Sequence, residues 1–298
     1  MARSSETTAT SLLVIAAPAV FVLLWSSGFI GAKYGLPYAE PFTFLLLRFV
    51  VVTVLFAAAA LAVGAKWPTG AGMLHVAVAG ILIHATYLGG VFVAIHRGLP
   101  AGTAALVTAL QPLLTAIAAG PYLGERITAR QWIGLILGLF GVLLVVQRKL
   151  GVSEGDIGAV IAALIAVLGI TAGTLYQKRH GGAMDVRTGS VVQFGASALV
   201  ILPLAWLSET MEVRWSSEFV FALGWLCVVL SLGAISLLLW LIRHGAAARV
   251  ASLFYMVPPA TAVTAWILFD ETFGLDGLIG MAVVVTGVAL VTVSPKPS

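Results

Sequence analysis

The sequence predicts an all-α integral membrane protein: ten transmembrane helices arranged as two inverted-topology repeats of five helices each. Three observations predict it. The first is composition: 60% of the 298 residues are hydrophobic and 9% are charged, with a mean hydropathy of +1.08, whereas a soluble domain carries about 25% charged residues. A single soluble core of this size still leaves a large, mostly polar exterior, so lipid must solvate most of these side chains. The second is a series of ten apolar runs, each near the 20 or so helical residues that a bilayer core about 30 Å thick requires. The third is an internal repeat. LQPLLTAIAAGPYLGERITARQWIGLILGLFGVLLV at 110–145 aligns without a gap on MVPPATAVTAWILFDETFGLDGLIGMAVVVTGVALV at 256–291, 146 positions further on. In that register Pro112 meets Pro258, Glu125 meets Glu271, Gly134 meets Gly280 and Gly141 meets Gly287.

The elements follow in order. Span 1 (11–32) comes after Arg3 but is too long for the 7–15 residue apolar region of a signal peptide, and no small-residue cleavage site follows it. It is read as a retained helix. Span 2 (42–63) carries Arg48 six residues in, close enough to the outer surface for the guanidinium to reach water or a carboxylate. A structural pairing is expected there, with capture of a substrate carboxylate the alternative. Span 3 (71–95) holds His84 and Tyr87, span 4 (101–119) holds Gln111 and Pro112, and span 5 (131–147) is striped by Gly134, Gly138 and Gly141. Span 6 (156–176) brings Thr171 and Thr174, span 7 (187–207) follows, and span 8 (217–241) contains Cys227 and Ser231. Span 9 (248–268) holds Tyr255, Pro258 and Pro259, and span 10 (276–293) holds Gly280 and Gly287. The glycines permit close helix contact, and internal packing is expected of them before dimerisation. A β-barrel would alternate apolar and polar residues over about ten positions, which these continuous runs do not.

Residues 1–150 therefore form the first repeat and 151–298 the second. Five spans is an odd number, so two such units joined end to end lie upside down relative to each other, a common way to build a transporter around one site. Earlier segments match more faintly: Lys33 falls on Arg179 at the same offset, and Glu40 falls one residue off Asp185. Short breaks such as GAKWPTG (64–70), HRGLP (96–100), QKRHGGAMDVR (177–187) and RHGAAAR (243–249) hold nearly all the charge, leaving no room for a soluble domain. One set of loops carries Arg3, Lys66, Arg126, Arg130, Lys178, Arg179, Arg187, Arg243, Arg249 and Lys296, against Lys33, Arg97, Arg148, Lys149 and Arg214 on the other. The positive-inside rule then places both termini in the cytoplasm. The net charge of +4 is a topology signal, since a nucleic-acid partner needs a clustered basic patch. Cys227 is the single cysteine, so no intramolecular disulfide forms.

LLWSSGFIGAKYGL (23–36), EPFTFLLLRF (40–49), QPLLTAIAAGPYLGERIT (111–128) and PPATAVTAWILFDET (258–272) resemble the ten-helix EamA branch of the drug/metabolite transporter superfamily. The resemblance covers essentially the whole chain and specifies fold better than substrate. It implies a multi-pass carrier of the bacterial inner membrane, often an exporter of amino acids or related metabolites, with spans 5 and 10 as outer scaffold. Within the family the chain is most similar to aromatic amino-acid exporters. The alternative is an exporter of other small metabolites or of cationic drugs. The expected partners are a small-molecule substrate and the bilayer, with no cofactor, no metal and no obligatory protein partner.

The substrate site is sought among polar and aromatic residues at mid-depth, which would be costly facing lipid. At 1.5 Å per residue, a position about ten residues into a span lies near the midplane. His84, Gln111 and Ser231 meet that test, while Trp25, Ser26, Thr171 and Thr174 lie somewhat past the middle. Tyr87 follows His84 by one turn and Tyr255 precedes Pro258 by one turn. The expected substrate-binding set is Trp25, Ser26, His84, Tyr87, Gln111, Thr171 and Tyr255. An amino acid brings an ammonium and a carboxylate, which Gln, Ser, Thr and proline-freed carbonyls could solvate. Trp and Tyr faces suit an aromatic ring or a cation. Each of these residues also has a packing role open to it, and Ser and Thr often bond back to their own helix. Pro112, Pro258 and Pro259 remove backbone donors and loosen the preceding turn, which makes them candidate bends for gating. Glu125 and Glu271 are read as loop and helix-start anchors.

The chain has no HExxH, no G-x-S-x-G and no deep carboxylate pair, so a membrane enzyme is not expected. It also lacks the buried carboxylate with which four-helix relatives exchange protons for cationic drugs. His84 is the only deep side chain that ordinarily titrates near neutral pH. Proton coupling and downhill facilitation therefore both stay open, as do the solute and the direction of flux.

Overall fold

The computed structural model describes residues 2–123, 129–151, 157–180, 185–234, 237, 241, 253–272 and 274–292. Its helices are α1 (Ala2–Gly35) and α2 (Pro41–Ala62), α3 (Ala71–His96), then α4 (Ala101–Thr108), α5 (Gln111–Leu123), α6 (Ala129–Gly151), α7 (Ile157–His180) and α8 (Val186–Ser208). α9 (Ser217–Ala234), α10 (Val257–Phe269) and α11 (Leu275–Thr292) follow. Among the described residues there is no strand; the β-type pairing is one isolated bridge, Ala39 to Val213. Glu125, expected as an anchor, lies outside the described residues.

Among the described residues, six helices are long and apolar enough to cross a membrane: Ala16–Gly35 within α1, and α2, α3, α7, α8 and α9. Shorter apolar stretches, Ala101–Thr115, Trp132–Val142, Val257–Phe269 and Leu275–Gly287, fall where spans 4, 5, 9 and 10 were expected. Proline accounts for two of these. Pro112 has no N–H for the carbonyl of Thr108, so the chain makes a tight turn at Leu110, whose N–H bonds Val107 O at 3.1 Å, and the helix restarts at Gln111. A 3-10 turn, Phe254–Met256, precedes α10, which has proline in its first turn, where a missing donor is harmless.

The exterior is apolar. On α8, Leu199, Trp206 and Leu207 are 73%, 74% and 84% exposed, an arrangement suited to lipid. Inside, Phe44 of α2 packs against Phe92 of α3 and Phe219 of α9 with ring centroids 5.3 and 5.0 Å apart. α6 and α11 meet through small residues. A Cβ on Gly141 would stand 2.7 Å from the carbonyl oxygen of Gly280, and one on Gly287 would stand 2.7 Å from that of Gly134. Only glycine allows that approach.

At the end of the bundle that carries the α1–α2 and α8–α9 connections, the loops lock together. The N–H of Arg214 bonds Tyr38 O at 2.9 Å and its side chain donates to the carbonyl of Pro37. The carboxylate of Glu209 accepts from the N–H groups of Phe42 and Thr43, both at 2.7 Å, a negative charge placed where the α2 dipole favours it. Glu40 in turn accepts from the N–H of Thr210 at 2.7 Å. Asp270 takes the left-handed conformation, φ 53°, ending α10 and turning Glu271 toward Lys33, with which it forms an ion pair. At the opposite end Asp185 caps α8, accepting from the N–H of Arg187 at 2.9 Å.

Candidate functional site

A cavity of about 170 Å³ lies between the helices, lined by Trp25, Gly28 and Phe29 of α1, Arg48 of α2, and His84, Tyr87 and Phe92 of α3. Thr174 of α7, Phe194 of α8, and Leu230 and Ser231 of α9 close it. A second cavity of about 50 Å³ adjoins it across Trp25, Phe29 and Tyr87, and is lined further by Thr108, Gln111, Pro112, Phe254, Val257 and Pro258. These walls pair up at the offset of the internal repeat. Gly28 and Thr174, Arg48 and Phe194, His84 and Leu230 stand 146 positions apart and line the larger cavity; Thr108 and Phe254, Gln111 and Val257, Pro112 and Pro258 do the same in the smaller. Local backbone geometry follows suit. α3 carries a π-helical stretch at Ile81–Thr86 and α9 one at Trp225–Ala234, and such wide turns recur at functional sites.

Individual side chains are held from several directions. The indole of Trp25 meets the ring of Phe254 edge-on, centroids 5.1 Å apart, and Phe21 at 5.5 Å. His84 stacks on Phe194 at 3.9 Å and places Nε2 3.3 Å from Gln193 Oε1. With the amide oxygen accepting, that nitrogen carries the proton, and the hydrogen bond fixes the ring. Gln111 donates from Nε2 to Thr174 Oγ1 at 3.2 Å, while the Thr174 hydroxyl donates to Ile170 O at 2.7 Å. This links the start of α5 to α7.

Trp25, His84, Tyr87 and Gln111 of the expected set therefore come together around the two cavities, with Pro112 and Pro258. Others do not line them. The buried hydroxyl of Ser26 donates to Val22 O at 2.7 Å, with Val257 O a further 3.3 Å acceptor, and so ties α1 to α10. Thr171 bonds back to Val167 O at 2.6 Å and lines neither cavity; Thr174, one turn on, takes its place. Pro259 is absent from both linings, and the side chain of Tyr255 lies outside the described residues. Arg48 corrects the reading of span 2. It is 4% exposed, points Nη2 toward Ser231 Oγ at 3.4 Å, and has no described carboxylate partner. Phe194 and Leu230 were missed, although the register that pairs them with Arg48 and His84 was already in the sequence.

The EamA-like transporter family model matches this chain twice, over residues 11–147 and 157–293. The chain belongs to the EamA-like transporter family. This EamA protein is 27% identical to the uncharacterized inner membrane transporter YedA of Escherichia coli, over 91% of this chain and 87% of that one. It is 24% identical to a probable amino-acid metabolite efflux pump of Escherichia coli, covering 89% and 90% of the two chains. A solved crystal structure matches with a TM-score of 0.64 at 20% identity, over 93% of this chain and 96% of its own, which shows a shared fold. Membership of that family makes the EamA protein a membrane transporter.

Proposed function

We propose that this transporter exports or exchanges neutral amino acids, aromatic ones among them, across the bacterial inner membrane by alternating access. In this reading ten helices cross the bilayer with both termini cytoplasmic. Residues 1–150 and 151–298 are inverted five-helix units of the ten-helix EamA branch, and Trp25, His84, Tyr87, Gln111 and Thr174 hold the solute. Pro112 and Pro258 bend with the gates. The observation that carries the reading is a cavity walled by residues 146 apart from both halves, as expected when opposed repeats rock about one site. The indole of Trp25 and the phenol of Tyr87 on its wall offer flat faces to an aromatic side chain, and a relative named as an amino-acid metabolite efflux pump adds support. Export of cationic drugs is the weaker alternative, because Arg48 stands in the same wall.

The test is a counterflow panel of labelled amino acids in proteoliposomes, with and without a pH gradient. Intact aromatic amino acids should exchange faster than in liposomes without protein. Movement of none of them, or chemical conversion of the solute, would refute the reading. A rate that follows the imposed pH gradient would assign proton coupling.

A further inference from the structure

Arg48 is a cation enclosed by the protein, with 4% of its surface exposed, in the wall that also holds Trp25, His84, Tyr87 and Ser231. Its hydrogen-bonding capacity is almost unused. Ser231 Oγ lies 3.4 Å from Nη2, at the long limit for such a bond, and that hydroxyl donates its own proton to Leu226 O at 3.0 Å. Nε has no partner, and among the described residues the ion pairs join Lys33 to Glu271 and Arg187 to Asp185, not Arg48. A buried charge is costly unless it is paired and hydrogen-bonded, and in a membrane such a residue marks a solute or ion path.

We propose that Arg48 is the receptor for a carboxylate on the transported solute, and that the cavity selects monocarboxylates whether or not they also carry an ammonium group. This rests on the amino-acid reading above and extends it. A guanidinium presents N–H donors in a planar fork that matches a carboxylate bidentately. The described lining of both cavities includes no Asp or Glu, so an ammonium would meet ring faces, hydroxyls and the Gln111 amide, but no opposite charge. An amine lacking a carboxylate would instead meet an unneutralised positive charge. The carboxylate is obligatory, the ammonium dispensable.

The test is thermal stabilisation of the purified full-length protein in detergent by phenylalanine, phenylacetate and phenethylamine, repeated with Arg48→Gln and Arg48→Lys. Phenylalanine and phenylacetate should both stabilise the unaltered protein and phenethylamine should not. Arg48→Gln should weaken both acids about 10- to 100-fold, the range expected for a hydrogen bond to a charged group, and Arg48→Lys should weaken them less. Phenethylamine binding as tightly as the acids would overturn the proposal without any variant, as would acids that bind folded Arg48→Gln undiminished. Binding of phenylacetate without phenylalanine would remove the amino-acid reading and leave the carboxylate receptor standing. Binding by none of the three overturns both.

Discussion

Glu271 gives the most direct handle on the proposed conformational cycle. One of its carboxylate oxygens accepts from Lys33 Nζ at the end of α1 and from the N–H of Ala101, 3.2 Å away at the start of α4. Lys33 Nζ also lies 4.8 Å above the ring of Phe269. Three elements are thus tied at the end of the bundle that must part when the cavity opens there. The Glu271 side chain is 8% exposed and that of Lys33 30%. A hydrogen bond to a charged group contributes about 1.5–3 kcal/mol, and solvent around the lysine reduces this toward about 1 kcal/mol. Glu271→Gln should therefore shift the closed-to-open balance at that end by roughly fivefold. The assay places a cysteine at Leu230 in a Cys227→Ser background and follows its modification by a membrane-impermeant thiol reagent added outside intact cells. Glu271→Gln and Lys33→Met should each raise the rate about fivefold, and the double variant should go no further, since both break the same bond. An unchanged or slower rate in both single variants, or effects that add in the double, would refute the latch.

A Cβ at position 141 would meet the Gly280 carbonyl oxygen and Val284 Cγ2, each at 2.7 Å, so Gly141→Ala should destabilise the α6–α11 contact by about 1–3 kcal/mol. Gly72→Ala, with nothing within 4 Å, should be neutral or gain up to about 1 kcal/mol; equal melting temperatures in detergent would contradict this. Trp25→Ala and Gln111→Ala should each cut flux by roughly fivefold, about 1 kcal/mol per lost contact, at unchanged membrane abundance, and normal flux in both would take them out of the site. The hydrogen bond from the Arg187 side chain, then that from its backbone N–H, holds the Asp185 carboxyl below its ordinary pKa of 3.8. Its contribution to stability is therefore complete above that ordinary value and is lost as pH falls through the lowered one. The melting-temperature gap between wild type and Asp185→Asn should be constant between pH 6 and 8 and close in stronger acid; a gap that persists there would contradict the cap.

Composition made the membrane fold readable, because a lipid solvent leaves its mark on every exposed side chain. The repeat register reached further, into packing. Gly134 and Gly287, like Gly141 and Gly280, meet across the α6–α11 contact, and a glycine kept at both ends of a 146-residue offset has few other uses there. The site was only partly readable, because counting residues from a span end gives depth and not direction. Trp25 and Ser26 are adjacent in depth, yet the first faces the cavity and the second ties α1 to α10. Thr171 and Thr174 divide in the same way. A helix turns about 100° per residue, so neighbours at one depth look toward different partners, and the partners are set by packing that no local pattern encodes.

Arg48 shows what packing adds. At six residues into its span it stood close enough to the surface for a long side chain to reach out, and that expectation assumed an open path. The turn of α2 between Arg48 and that surface carries Phe44 and Leu45, both 0% exposed, with Phe44 set between Phe92 and Phe219. Side chains on a helix lie over the turn N-terminal to their own position, which is where these two residues block the guanidinium. It turns inward to Ser231 instead. At the equivalent position of the other half stands Phe194, stacked on His84 at 3.9 Å. Two positions 146 residues apart thus present a cation and a ring to the same cavity. In the proposed reading that asymmetry orients a solute with a charged head and an apolar body, which a purely symmetric cavity would have no means to do.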